Sequence, residues 1–121
     1  MPEAQNSKRY DLEERTFKFA RGVRSFVRKL LRTLANIEDS KQLIRSSGSM
    51  AANYIEANES LGRKDLGMRI KICRKEAKES GLWLNLLDTG VNTSLEQERQ
   101  QLLQEATELR KIFGSIVEKL K

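Results

Sequence analysis

Residues 11–34, DLEERTFKFARGVRSFVRKLLRTL, decide the fold because their apolar side chains recur at helical spacing. Intervals of three, four and seven positions place these side chains on one side of an α-helix. Acidic residues occupy the first turn and basic residues the last, which is the arrangement that the helix dipole favours. The stripe predicted to be buried consists of Leu12, Thr16, Phe19, Val23, Phe26, Val27, Leu30, Leu31 and Leu34.

A second helix is predicted after a short connection at residues 35–38. Asp39 or Ser40 is the expected N-cap, because a short polar side chain there accepts a hydrogen bond from the first turn. The helical period continues to about Ser60. Gly62 suits the position just after the helix, where glycine is favoured.

Two more helices follow in the second half of the chain. The third is predicted from about Arg63 to Asp88, with Gly90 marking its end. Ser94 followed by Gln97 fits a capping box, so the fourth helix is expected to begin there. Leucine and other apolar residues then recur every three or four positions to the end of the sequence, which is typical of a bundle seam.

These helices predict an all-α fold, an antiparallel up-down-up-down four-helix bundle. Their lengths of roughly 21–27 residues match, and short connections make successive helices antiparallel neighbours. One proline in 121 residues argues against turn-rich β folds. We expect one domain, residues 10–121, preceded by a flexible polar tail, residues 1–9.

The residue types that are missing exclude several kinds of chemistry. The chain has no histidine, which removes histidine-based catalysis and most zinc sites. Cys73 is the single cysteine and is expected to be a buried structural thiol. No catalytic residue, metal ligand or cofactor is predicted, so the protein is expected not to be an enzyme. No apolar run is long enough for a membrane span, which predicts a cytoplasmic protein without a membrane partner.

Positive charge is concentrated in two parts of the chain. The net charge is +6, and residues 1–35 contribute +5 while residues 63–90 contribute +3. Helical spacing aligns basic side chains in both segments, and such rows favour binding to phosphates without sequence specificity. The alternatives are a solvated basic face or a face paired with the acidic second helix of a neighbour. The candidate nucleic-acid-binding residues are Arg21, Arg24, Arg28, Arg32, Lys71, Arg74, Lys75 and Lys78.

Some apolar side chains fall outside the predicted core stripes and indicate self-association, since small monomers rarely expose large apolar patches. Part of this surface could instead belong to an ordinary bundle core. A run of small polar residues in helix two favours close helix packing, or else a polar network between copies. The candidate oligomer-interface residues are Phe17, Arg45, Ser49, Asn53, Glu56, Met68, Ile72, Trp83 and Leu86.

Four segments resemble one bacterial protein family along most of the chain. They are residues 10–17 (YDLEERTF), 42–46 (QLIRS), 52–57 (ANYIEA) and 71–84 (KICRKEAKESGLWL). They are similar to the four-helix bundle proteins that are often encoded in intervening sequences of ribosomal RNA genes. Related proteins are the accessory variability determinants of diversity-generating retroelements. The resemblance implies a homopentamer of four-helix protomers with basic surfaces that bind nucleic acid, and a reverse transcriptase as a candidate partner.

Together these features predict a non-enzymatic, oligomeric nucleic-acid-binding bundle, with RNA as the expected ligand. Such a protein could also be an accessory to a retroelement reverse transcriptase. The alternative is a protein–protein interaction scaffold whose basic face docks an acidic partner protein.

Overall fold

Each amphipathic segment forms one helix in the computed structural model, which describes residues 2–121, with side chains from residue 12 onward. The helices are α1 (Pro2–Val27), α2 (Leu34–Asn58), α3 (Arg63–Leu86) and α4 (Thr93–Leu120). No strand occurs among the described residues. The predicted all-α fold is confirmed.

The helices pack in a ring in chain order. α1 contacts α2 and α4, and α3 contacts the same two helices, whereas neither diagonal pair makes a close backbone contact in the described part of the chain. Because loops of four to six residues join successive helices, neighbours run antiparallel. The predicted up-down-up-down bundle is therefore confirmed.

The core lies along the bundle axis and draws on every helix. Phe26, Leu43, Leu84 and Phe113 are completely buried, and each comes from a different helix. The ring of Phe113 lies 5.9 Å from that of Tyr54, at a tilted angle that suits aromatic pairs. This contact joins α4 to α2 across the centre of the bundle.

The connection between the first two helices differs from the prediction. α1 ends at Val27, and Thr33 is the N-cap of α2, with its Oγ1 accepting a hydrogen bond of 3.1 Å from the backbone N–H of Asn36. Residues 35–40, predicted to hold the connection and the cap, are helical. Thr33 has the extended backbone that a cap requires, and it precedes the predicted cap, Asp39 or Ser40, by six or seven residues.

This early end of α1 changes the burial of its last predicted stripe residues. Leu31 is 67% exposed and Leu34 is 79% exposed, so the prediction that both are buried is wrong. Leu31 lies in the loop and Leu34 is the first residue of α2, so the helical period of α1 does not set the direction of either side chain. Leu30, just before them, is buried as predicted.

The two later loops also have different caps from those predicted. Gly62 is the N-cap of α3 rather than the residue that ends α2. Asn92, not Ser94, caps α4, because its Oδ1 accepts a 3.0 Å hydrogen bond from the N–H of Leu95. Gly90 has a φ of +67°, which glycine adopts without steric cost, and lets the chain turn into α4.

Glu96 ties the last loop to the first turn of α4. Its carboxylate accepts hydrogen bonds from Gln100, Arg99 and Thr89. These bonds stabilise the charged form and lower the pKa of Glu96 to about 2.

The start of α1 lies where the sequence predicts a polar tail. The helix begins at Pro2 and so includes residues 2–9. The side chains of those residues lie outside the described ones, and the flexibility expected for residues 1–9 stays a prediction.

The Thr33 cap can be tested by substitution. Thr33→Ala removes the acceptor for the N–H of Asn36, and we expect a loss of about 1 kcal/mol in the free energy of unfolding. Urea denaturation followed by circular dichroism measures it. Asp39→Ala, at the predicted but unused cap position, is the matched control and should change stability by less than about 0.5 kcal/mol. An equal loss in both variants would contradict the assignment of the cap.

Candidate nucleic-acid interface

The four sides of the bundle are named here by the helices that border them. The α1/α4 side is closed by ion pairs, in which Arg15 contacts Glu105 at 2.6 Å and Glu108 at 3.2 Å. Lys29 contacts Glu98 at 2.8 Å farther along the same side. Glu105 and Glu108 of α4 thus bind α1, and Glu98 binds the loop that follows it.

The α2/α3 side is held by polar contacts within the chain. Arg45 lies 3.5 Å from Glu76 and 3.3 Å from Glu79. Below them, the hydroxyls of Ser46 and Ser80 share a buried hydrogen bond of 2.8 Å. The small residues of α2 therefore let the two helices approach closely.

The predicted polar interface residues on α2 take part in the same network. Asn53 accepts a 3.0 Å hydrogen bond from Arg69 and donates to the hydroxyl of Ser49 at 3.2 Å. Glu56 is exposed and makes no ion pair among the side chains from residue 12 onward. A role of these residues between copies stays a prediction.

The eight candidate phosphate-binding residues make no ion pair with any described carboxylate. Arg28 and Arg32 lie in the loop that follows α1, so the prediction that one helix carries all four arginines is wrong. Together with Arg24 they lie on the α1/α2 side. Arg24 donates to the carbonyl of Ala20 at 2.8 Å, and a Cβ atom at Gly48 of α2 would be 3.2 Å from its guanidinium. Arg28 and Arg32 are exposed and border a cavity of about 280 Å³ between the two helices.

Arg21 completes the row on α1. Its guanidinium lies 5.9 Å from the ring centre of Phe17, a cation–π contact. Phe17 is 56% exposed, so the pair remains at the surface. Phe17 thus lies beside the basic row, away from the other apolar residues predicted for the oligomer interface.

The basic row of α3 lies on the α3/α4 side. Arg74 packs against Gly114 of α4, since a Cβ atom added to that glycine would lie 3.7 Å from the Cδ atom of Arg74. Lys71 and Lys78 border two cavities whose other walls come from α4. Lys75, which lies between these two lysines in the sequence, is exposed. In the ring of helices the α3/α4 side is opposite the α1/α2 side, so the two rows form separate surfaces.

Sequence reasoning missed Arg110 as part of the α3/α4 surface. It lines a cavity of about 190 Å³ together with Lys78 and Thr107, and no carboxylate lines this cavity. The predicted fourth helix has equal numbers of acidic and basic residues, so its net charge gave no indication that one of its sides is basic. The structure separates the acidic from the basic residues, with Glu105 directed to α1 and Glu98 to the loop that follows it.

Apolar candidates for the oligomer interface gather on the outer surface of α3. Met68 and Leu86 are about half exposed, while Ile72 and Trp83 are partly buried. The indole N–H of Trp83 is buried without a hydrogen-bond partner, and so is one carboxylate oxygen of Glu76. Unpaired buried polar groups are costly to the folded state.

Cys73 is a core residue. It is fully buried and its thiol donates to the carbonyl of Met50 at 3.5 Å. Burial disfavours the thiolate and raises the pKa of Cys73 to about 12. From residue 12 to the end of the chain, no three potential ligands lie close enough together to hold a metal ion. Across the described helices, none combines the length and the apolar character that crossing a membrane requires.

Comparison with known proteins gives a structural relative. No protein-family model matches the sequence, and neither does any curated protein. The chain is similar to a crystal structure from Bacteroides thetaiotaomicron, described as a protein with unknown function from the S23 ribosomal protein family. The TM-score is 0.75 and the sequence identity is 29%, over 87% of this chain and 96% of that chain. This protein is therefore similar, in fold and over nearly the whole domain, to a bacterial helical protein of the S23 family.

Proposed function

We propose that this protein is a non-enzymatic nucleic-acid-binding bundle that acts as an oligomer, with RNA as its expected ligand. The observation that carries the proposal is the set of eight basic side chains, none paired with a carboxylate among residues 12–121. Basic residues elsewhere in the bundle do form such pairs, including Arg15 in α1, Lys29 in the loop after it and Arg45 in α2. The basic residues of the candidate surfaces are thus kept available for an external anion.

Phosphates are the anions that fit these surfaces best. The α3 row extends along its helix, and the other row continues from α1 into the loop that follows it, so each row matches a linear polyanion better than a single small ion. Lysine and arginine bind phosphates by charge and release condensed counterions, which makes affinity depend strongly on salt. The described residues form no strand platform or recognition loop for reading bases, and binding is therefore proposed to be largely independent of sequence.

An oligomer would use these surfaces more effectively than one protomer. The two rows lie on opposite sides, so a single bundle cannot present both to the same short strand. Repetition of each row in several copies would add contacts along one nucleic acid and raise the overall affinity. The homopentamer implied by the resemblance is the assembly that we propose.

The proposed family is the bacterial four-helix bundle family encoded in ribosomal RNA intervening sequences. Similarity to an S23-family protein supports this placement, because it covers 87% of this chain and 96% of that chain. A role as an accessory of a retroelement reverse transcriptase belongs to the same proposal.

A second candidate function is a scaffold that docks an acidic protein. Exposed Met68, Leu82 and Leu86 lie on α3 close in sequence to Lys75 and Lys78, and mixed apolar and basic surfaces suit protein partners. Pull-down with and without nuclease distinguishes the two functions. Nucleic-acid binding predicts that nuclease releases the co-purifying material, whereas a protein partner would remain.

The proposed function is tested by a salt titration. With fluorescently labelled RNA and DNA of several sequences, we expect similar affinities that fall about 10³-fold or more between roughly 50 and 200 mM salt, if six or more phosphates are contacted. Fluorescence anisotropy measures the dissociation constants. Absence of binding to every RNA and DNA at the lowest salt would contradict the proposal.

A further inference from the structure

One end of the bundle carries a projecting segment that is both acidic and apolar. Leu61, in the loop between α2 and α3, is fully exposed, and Ile55 is 53% exposed. Glu56 and Glu59 are exposed and have no ion-pair partner among the described side chains. These four residues are called the acidic knob. An apolar side chain as exposed as Leu61 contributes nothing to the protomer's own core.

The same end of the bundle holds an open cavity of about 1070 Å³. Its apolar walls are Met68, Val117 and Leu120, and Gly67 leaves space between α3 and α4. Lys64 and Lys71 border the cavity, and neither makes an ion pair with a described carboxylate. This cavity is called the basic hollow.

We propose that the acidic knob of one copy binds in the basic hollow of another copy of this chain. Leu61 would place its side chain against the apolar walls, while Glu56 and Glu59 would lie near Lys64 and Lys71. The two surfaces are complementary, because the carboxylates of the knob would meet the amines of the hollow and the exposed leucine would meet apolar walls. This inference rests on the oligomeric part of the proposed function.

The knob and the hollow are different surfaces, so the contact joins unlike parts of two copies. Contacts of this kind generate closed rings or open chains, rather than the reciprocal pairs of a two-fold dimer. Both surfaces lie next to each other at one end, on either side of the start of α3, which begins at Arg63. Of the α3 row only Lys71 borders the hollow, and Arg74, Lys75 and Lys78, farther along the helix, would stay accessible in such an assembly.

Two substitutions test the contact without disturbing the protomer. Gly67→Leu fills the hollow, and its Cβ would meet only Leu120, at 4.0 Å, so the chain itself can accept it. Leu61→Ser removes the apolar tip of the knob. We expect each variant to raise the dissociation constant of the oligomer at least tenfold, measured by sedimentation, with an unchanged circular dichroism spectrum. Val91→Ser is the matched control, since Val91 is equally exposed but lies in the loop at the other end.

Cysteine cross-linking shows which surfaces meet. Leu61→Cys and Gly67→Cys are prepared separately and mixed under mild oxidation, while the buried Cys73 stays unreactive. We expect a disulfide-linked pair in the mixture and little in either variant alone. Cross-linking of Leu61→Cys only to itself, or no cross-link while the wild type remains oligomeric, would overturn the inference. A monomeric wild type would overturn it as well.

A charge exchange provides the third arm of the test. Glu59→Lys and Lys64→Glu should each weaken association, and the double variant should restore it. If the double variant associates no better than the single variants, the proposed contact between the knob and the hollow is contradicted. RNA affinity of the wild type, measured in parallel, reports on the proposed function independently, so the two failures are distinguishable.

Discussion

Neutralising the basic row of α3, with Lys71→Gln, Lys75→Gln and Lys78→Gln together, is expected to raise the dissociation constant for RNA about 100-fold. All three side chains are exposed. An exposed charge pair at contact distance in water is worth roughly 1 kcal/mol, and three such losses come to about 3 kcal/mol, or roughly two orders of magnitude. The salt dependence should also weaken, with the slope of log K against log salt falling by about 2 to 3.

The matched control changes net charge by the same amount elsewhere. Gln97→Glu, Gln101→Glu and Ser115→Glu introduce three negative charges at exposed positions of α4, so both triple variants change the net charge from +6 to +3. If binding depended only on overall charge, the two would lose affinity equally. Equal losses would contradict the assignment of the α3 row as a contact surface. Urea denaturation of both variants verifies that the fold is retained.

Phe113→Ala is expected to cause the largest loss of stability among single substitutions in the core. Phe113 is completely buried and its ring packs against Tyr54 at 5.9 Å. Truncation removes apolar contacts and leaves a cavity, which costs about 3–5 kcal/mol. Small domains have total stabilities of only about 5–15 kcal/mol. A fall in the melting temperature of roughly 12–20 °C is therefore expected, measured by circular dichroism.

Phe17→Ala is the control of the same residue type. Phe17 is 56% exposed and its ring contacts Arg21 at the surface, so its removal should change stability by less than about 1 kcal/mol. Phe113→Leu, which keeps most of the buried volume, should fall between the two. A loss at Phe17 as large as that at Phe113 would contradict the placement of the core.

The number and identity of the helices were predictable because each has a long apolar stripe. Over more than twenty residues, spacing of three and four positions leaves little choice of secondary structure. The helix ends were less predictable, since several residues near each end could serve as caps. Thr33 and Asn92 do so rather than Asp39 or Ser94, because the loop geometry brings the extended backbone to those positions.

The candidate surface was predictable residue by residue but not in its arrangement. Helical spacing alone aligned Lys71, Arg74 and Lys78, and the structure leaves them without carboxylate partners in the part of the chain that it describes. Arg110 joins them only through the packing of α4 beside α3. In the sequence it is one of several basic residues in a charge-balanced helix.

Periodicity by itself determined that this chain forms four amphipathic helices with aligned basic residues, because both properties depend on neighbours within a few positions. Only tertiary packing decided the ion pairs between helices, since partners such as Arg15 and Glu105 are far apart in sequence. Packing also placed the two basic rows on opposite sides of the bundle. α1 and α3 are diagonal partners in the ring of helices, and each packs against α2 and α4. The local sequence of a helix carries no information about which neighbouring helix its basic residues will lie beside.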